Sequence, residues 1–575
     1  MTEQRNLILA IVLSVAIILV FQYFYELPRM RATQKVAEQP TSAQPVVSTP
    51  QPGAPGEAPA LPEAGLGEMR LETALAQVPR VRIDNGRLHG SVSLDGGRLD
   101  DLTLADYRVS LEPGAPEIRL LQPYGTATAY FAEFGWTAVG EGIAVPDRHT
   151  RWRVVEGERL ESGKPLVLEW DNGAGILFRQ TLHLDSDYLF TVERQVINNG
   201  PAPLTLYPWA LVSRWSTPHT LGYYILHEGP IGVLGGVLQE IDYSDLRDDA
   251  RIDFETTGGW LGFTDKYWLV ALVPDQNRRI NASFRHTAPD GRDRYQADFV
   301  GEPVTVAPGA SATVADRLFA GAKEVELLDR YQAEYAIPLF DRAVDFGWFY
   351  FLTKPIFKLL HWLYKWTGNY GIAILILTLL IRVALFPLAN KSFRAMSRMK
   401  QLQPEMMKIR ERFEHDKARM NQELMELYRR EKVNPMAGCL PIVVQIPIFF
   451  ALYKVLFVSI EMRHAPFFGW IRDLSAPDPS NLFDLFGLIP WQPPAILHIG
   501  ALPLLMGFTM WLQQKLNPQP ADPVQARVLM LLPVMFTFLF ASFPAGLVLY
   551  WTWSNILSIA QQWLIMRRSG REVAR

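Results

Sequence analysis

Apolar and polar positions follow three different patterns along this chain. Leu7 to Phe24 is an apolar run of 18 residues, interrupted only by Ser14 and Gln22 and preceded by Arg5. It is long for the apolar core of a cleaved signal peptide, and no Ala-x-Ala follows it. Residues 1–27 therefore read as an uncleaved N-terminal transmembrane anchor. Residues 28–77 read as a linker, because the stretch 36–66 is rich in Pro, Ala, Gln and Gly and has no apolar period. From 78 to 325 the period is two. Ile176–Leu184 and Tyr188–Val196 flank a short Asp185-Ser-Asp187 turn, and Tyr188, Phe190, Val192 and Val196 share one face. Asp95-Gly-Gly97, Asp171-Asn-Gly173 and Asn198-Asn-Gly200 mark further turns. Roughly 250 residues of short strands predict one large β-sandwich.

The third pattern is helical. Phe340, Ala343, Val344, Gly347 and Phe351 line one side of a helix predicted over 337–351, with Asp341, Arg342 and Asp345 off that side. Such a helix suits the headgroup region, or the surface of the β domain. Pro355 is expected to end it, so 337–366 is an interfacial helix and lead-in. Residues 367–566 then hold five spanning candidates, at about 370–389, 438–460, 496–514, 526–541 and 545–566. Ser542-Phe-Pro544 separates the last two. Pro387, Pro441, Pro447, Pro503 and Pro533 lie within these runs and bend helices. Between the first two, Met396, Met399, Leu402, Met406, Ile409 and Phe413 recur at helical steps. Asp416 can start a second helix carrying Met420, Leu424 and Leu427. A charged helical hairpin over 391–433 follows, whose methionines pack its helices together or offer an adaptable apolar surface.

Charge orients these elements. Residues 391–433 hold 12 Lys and Arg, and the tail 567–575 holds Arg567, Arg568, Arg571 and Arg575. The loop 461–495 holds only Arg463 and Arg472 against four acids. The positive-inside rule places the hairpin and the tail in the cytoplasm. Counting back, the β domain is outside, the N-terminus inside, and the spans number six. The overall charge of −3 gives no global field for nucleic acid. The single cysteine, Cys439, excludes an intramolecular disulfide and a thiolate zinc site.

Candidate chemistry is sparse. There is no zinc-protease helix motif, phosphate loop or nucleophile elbow. The spans carry neither paired aspartates nor a Ser/His pair, so no catalytic residue, metal or cofactor is expected. His219 and His227-Glu228 sit in a loop-rich stretch and read as solvated or packed side chains. Arg382 stands apart. It interrupts Ile372–Ala389, where an arginine costs at least ~2.5–3.5 kcal/mol. Such a charge must face a polar cavity, a partner or a substrate path, or else cap helix carbonyls.

Several motifs together carry a resemblance. They are Gly368-Asn-Tyr-Gly371, Arg382 followed by Phe386-Pro-Leu388, Met399-x-x-Leu-Gln-Pro404, Lys432-Val-Asn-Pro-Met-Ala-Gly-Cys-Leu-Pro441, Gln445-Ile-Pro-Ile-Phe449-x-Ala-Leu-Tyr453 and Phe543-Pro-Ala-Gly-Leu-Val-Leu-Tyr550. The chain closely resembles the YidC membrane-protein insertases of the YidC/Oxa/Alb superfamily, in the Gram-negative type with a large periplasmic domain. The resemblance implies a periplasmic β-supersandwich and a five-helix membrane core in the inner membrane. It also implies a hydrophilic groove open to cytoplasm and lipid, and insertion of nascent membrane proteins alone or with the Sec translocon. Arg382 matches the family's groove arginine, and Gln445 falls on the next helix of the groove. Gln513 or Gln514, and Tyr550 and Trp551, match more loosely. Trp551 stands where related sequences often carry a second tyrosine, so it keeps a stacking surface and loses a hydroxyl. The hairpin and basic tail are candidates to meet the nascent chain or the ribosome, and membrane lipids are implied partners. A transporter or channel is the rival class, although no repeated halves or second buried charge are visible. A sugar-binding envelope protein is the other.

Overall fold

The computed structural model describes residues 69–139, 142–220, 226–347, 349–431, 433, 440–485, 489, 498–516 and 523–573. The expected N-terminal anchor, nearly all of the linker, Cys439 and most of the 432–441 motif lie outside the described residues. Strands run from Arg80 to Ala322 in two sheets, one of 11 strands and one of nine. In the larger sheet, Leu204–Trp215 lies between Tyr130–Ala138 and Arg294–Gly301, antiparallel to both. In the smaller, Leu189–Asn198 lies between Ile176–Leu184 and Ser311–Ala322. The hairpin at 185–187 is as expected. Asp185 Oδ1 accepts from the amides of Asp187 (2.8 Å) and Leu189 (3.1 Å), which fixes the turn. Phe190, Val192 and Val196 are wholly buried between the sheets, as period two requires.

One charged residue shares that buried face. Arg194 reaches across to the other sheet, donating to the carbonyls of Gly135 (2.8 Å) and Trp209. It also pairs with Asp316 on the neighbouring strand. The histidines of the β domain have plain roles. His227 bonds the Pro230 carbonyl at 2.9 Å, and His219 is exposed.

The segment after the sandwich departs from expectation. Val325–Glu334 forms helix α1, but 337–347 is not helical apart from a short 3-10 turn at Phe340–Ala343. Leu339 adopts a left-handed conformation (φ 49°), which drives Phe340 into the sandwich beside Trp260 (5.4 Å) and Phe319 (5.5 Å). The Trp260 indole donates to the Pro338 carbonyl. Burial of one aromatic ring overrides the local helical period here. The amphipathic helix is α2, Tyr350–Thr367, and it runs through Pro355. Pro355 has no N–H to give the Phe351 carbonyl one turn earlier, so the helix continues past the proline with that one bond missing.

Charged contacts fasten this junction to the helices. Lys354 pairs with Asp329 (2.7 Å) and Asp341, and Lys454 with Asp345 (2.9 Å). Arg463 donates to the Arg108 carbonyl (2.6 Å). Glu461 accepts from the first amide of α1, at Val325 (3.1 Å), while its other oxygen is buried without a partner among the described residues. Burial pushes the Glu461 carboxyl up to about 7. Burial also brings Lys266 and Lys323 down to about 8.

Seven helices follow. They are α3 (Tyr370–Ala384), α4 (Phe386–Arg412), α5 (Lys417–Arg430), α6 (Leu440–Val458), α7 (Ala501–Leu516), α8 (Pro523–Phe540) and α9 (Ala545–Val573). The Gly368-Asn-Tyr-Gly371 motif explains the α2–α3 corner. Gly368 ends α2 in a left-handed conformation, and the Asn369 side chain caps α3 by accepting from Ile372. A side chain at Gly371 would strike the Phe467 ring. The apolar run expected to continue to 389 breaks at Leu385, because Pro387 cannot donate to the turn before it. Among the described residues, no single helix is long and apolar enough to cross a membrane. Tyr370–Ala384 and Phe386–Ala395 pass that test together, bent by 64°. Asp416 caps α5, accepting from Arg419 at 3.0 Å. α9 lies against α3, α4, α6 and α7, and α8 packs chiefly on α7.

Candidate functional site

The site is built where α3, α6 and α9 meet. The start of α9 is held by the loop before α7: Ala545 and Gly546 donate to the carbonyls of Ala476 (2.7 Å) and Leu474 (2.9 Å). Further along, the Trp553 indole donates to the Leu375 carbonyl (3.2 Å), which holds α3 against α9. Tyr550, Ser554 and Ser558 follow at intervals of four, so they form one polar line on a largely apolar helix. All three are buried.

Arg382 projects from the last turn of α3 onto that line. Its Nη2 donates to the hydroxyl of Ser554 and to the Ser554 carbonyl (3.2 Å). Gln445, on α6, donates from Nε2 to the same hydroxyl at 3.4 Å. The Tyr550 hydroxyl lies within interaction range of Gln445, Ser554 and the guanidinium. Among the described residues, no carboxylate pairs with Arg382. Its Nε and Nη1 bond to no described residue. A guanidinium has five N–H donors and no acceptor. Three of these donors, on Nε and Nη1, carry no hydrogen bond to a described residue.

The structure thus brings together Arg382, Gln445 and Tyr550. It places the other two expected residues elsewhere. The Trp551 ring, turned about 100° from Tyr550 on the helix, packs among Phe449 (4.6 Å), Phe540 (4.7 Å) and Phe536 (6.2 Å). Gln513 is half-buried on α7, as is Gln514, and neither bonds to the Arg382 group among the described residues. Sequence reasoning missed Ser554, which joins the three helices. It also missed the Thr509–Asn555 hydrogen bond (3.3 Å), a polar contact between α7 and α9. The signal for Ser554 was its four-residue spacing from Tyr550 and Ser558.

A large β-sandwich joined to an apolar helical core, in which no described carboxylate pairs with Arg382, fits a membrane protein with a large extramembrane domain. Residues 80–359 match the family described as YidC periplasmic domain, and residues 362–572 match the 60Kd inner membrane protein family. The chain is 49% identical to the membrane protein insertase YidC of Methylobacterium sp. (strain 4-46), over 99% of this chain and 96% of that one. It is 48% identical to the membrane protein insertase YidC of Bradyrhizobium diazoefficiens, over 100% and 97%. A solved active YidC insertase with its first transmembrane domain resolved aligns over 84% of this chain and 93% of that chain, at 18% identity and a TM-score of 0.35. The chain belongs to the YidC family of membrane protein insertases.

Proposed function

We propose that this chain inserts nascent integral membrane proteins into the inner membrane without covalent chemistry, using Arg382 as the cation of a hydrated groove. The observation that carries the reading is the guanidinium held by Ser554 with no carboxylate among the described residues to neutralise it. A polar substrate tail enters the groove before it meets full hydrocarbon. Arg382 attracts the acidic residues of that tail and donates to its carbonyls, with Gln445 and Tyr550 beside it. The substrate's apolar segment then moves along the helices into lipid, driven by roughly 25 cal/mol per Å² of apolar surface buried. The membrane potential draws an acidic tail outward by ~2.3 kcal/mol per charge per 100 mV. Trp551 and Gln513 belong to the walls of the path, where Trp551 offers a stacking surface.

The topology that goes with this reading has six spans, both termini in the cytoplasm and the sandwich in the periplasm. The bent pair α3–α4 serves as one span that turns onto the cytoplasmic surface. The basic segment 391–433 is the cytoplasmic hairpin, and with the tail it meets the nascent chain or ribosome. α2 lies in the lipid headgroup region, its exposed Phe351, Trp362 and Trp366 toward lipid. The chain works alone or beside the Sec translocon.

The test is reconstitution of the full chain alone in liposomes with a single-span substrate bearing an acidic or a neutral tail. Insertion above protein-free liposomes, favouring the acidic tail and losing that preference with Arg382→Ala, is the expected result. Solute flux without insertion would instead support a channel.

A further inference from the structure

Resting on that insertase reading, we propose that Ser554 is the positioning residue that aims the Arg382 guanidinium into the substrate path. Both hydrogen bonds that Arg382 makes to described residues end on Ser554, and both leave from a single nitrogen, Nη2. The grip is therefore one-sided. It holds one end of the fork, while Nε and Nη1 carry no bond to a described residue. Gln445 approaches the same hydroxyl from α6. A hydroxyl oxygen accepts two hydrogen bonds and donates one. Ser554 Oγ can thus hold Arg382 and Gln445 at once and turn its own proton toward the Tyr550 hydroxyl, which lies within reach.

The Ser554 carbonyl is a poor substitute for this hydroxyl. It already accepts from the Ser558 hydroxyl at 2.8 Å, in addition to its helical amide partner. A side chain of four rotatable bonds held only by that crowded carbonyl would sample many directions, and ordering it again on each encounter weakens binding. Alanine at 554 preserves the helix, since alanine is the better helix former. It removes the hydroxyl alone.

The test is a double-mutant cycle in proteoliposomes, using full-length wild type, Ser554→Ala, Arg382→Ala and the double variant, each with acidic- and neutral-tailed substrates. Ser554→Ala is expected to lower insertion of the acidic-tailed substrate roughly three- to tenfold, the net weight of one ordinary hydrogen bond, since the Ser554 carbonyl keeps part of the grip. The neutral-tailed substrate should change less than twofold, as should the thermal midpoint. In the Arg382→Ala background, Ser554→Ala should add nothing, because its effect passes through the guanidinium. Ser554→Thr, which restores a hydroxyl, should recover part of the loss. Additive losses, or equal losses on both substrates, would make Ser554 a structural contact and overturn the inference. Full activity of Ser554→Ala beside an impaired Arg382→Ala would also overturn it while leaving the insertase reading intact. Failure of wild type to insert either substrate would sink that reading instead.

Discussion

Arg194 and Arg382 are both drawn out of bulk water, one within the sandwich and one within the helical core, and they are treated in opposite ways. Arg194 is 1% exposed, pairs with Asp316 and donates to carbonyls of the facing sheet. Its charge is neutralised and its geometry over-determined, so it serves as a rivet between sheets. Arg382 has no carboxylate among the described residues and rests on one serine. Burial by itself therefore says little about an arginine's role. What separates a structural cation from a working one is whether its partner is already inside the molecule.

Four experiments would break or sharpen this contrast. Arg194→Ala should destabilise the sandwich most, by about 3–5 kcal/mol, because it strands a buried Asp316. Denaturant titration of the purified chain measures this, and a loss below ~1 kcal/mol would show the pair to be dispensable. Arg382→Ala should leave the denaturation midpoint in place while acidic-tailed insertion falls roughly tenfold or more. A collapse in stability would move Arg382 into the same class as Arg194. Arg382→Lys keeps the charge but not the planar fork, so an intermediate loss of roughly threefold is expected from the same assay.

The smallest effect concerns Glu461, whose carboxyl is pushed up to about 7 from an ordinary 4.5. The folded chain holds a proton there that the unfolded chain releases above about 4.5. Stability should therefore fall as pH rises from about 4.5 to about 7, and flatten beyond. Glu461→Gln should remove roughly 2–4 °C of that drop in the thermal midpoint. An unchanged profile would show that the carboxylate is solvated in the folded protein.

How much could be read beforehand depended on how local each signal was. The face of Phe190, Val192 and Val196 was legible because period two needs only the strand itself. Arg194's partner was not, since Asp316 lies on a strand 122 residues later. Arg382 was conspicuous because a charge inside an apolar run costs free energy wherever the helices go. Ser554 was inconspicuous, since a serine in a helix signifies nothing until two other helices deliver Arg382 and Gln445 to it. The helix expected at 337–351 failed for the converse reason. Its aromatic spacing was real, but Phe340 found a better place between Trp260 and Phe319. Trp551 illustrates a limit of adjacency, because neighbours on a helix face different surroundings.

The fastening of the sandwich at Glu461, Arg463 and Lys454 has a mechanical side. Those residues sit on or just beyond the end of α6, whose other end carries Gln445. A tug on the periplasmic domain is therefore a tug on a rod that ends, roughly 20 Å away at 1.5 Å per residue, at the arginine's neighbour. Any shortened version of this protein that trims back to the last strand but spares 325–347 would keep the Glu461 and Lys454 fastenings and lose that of Arg463 to Arg108, and one that cuts deeper would slacken the rod.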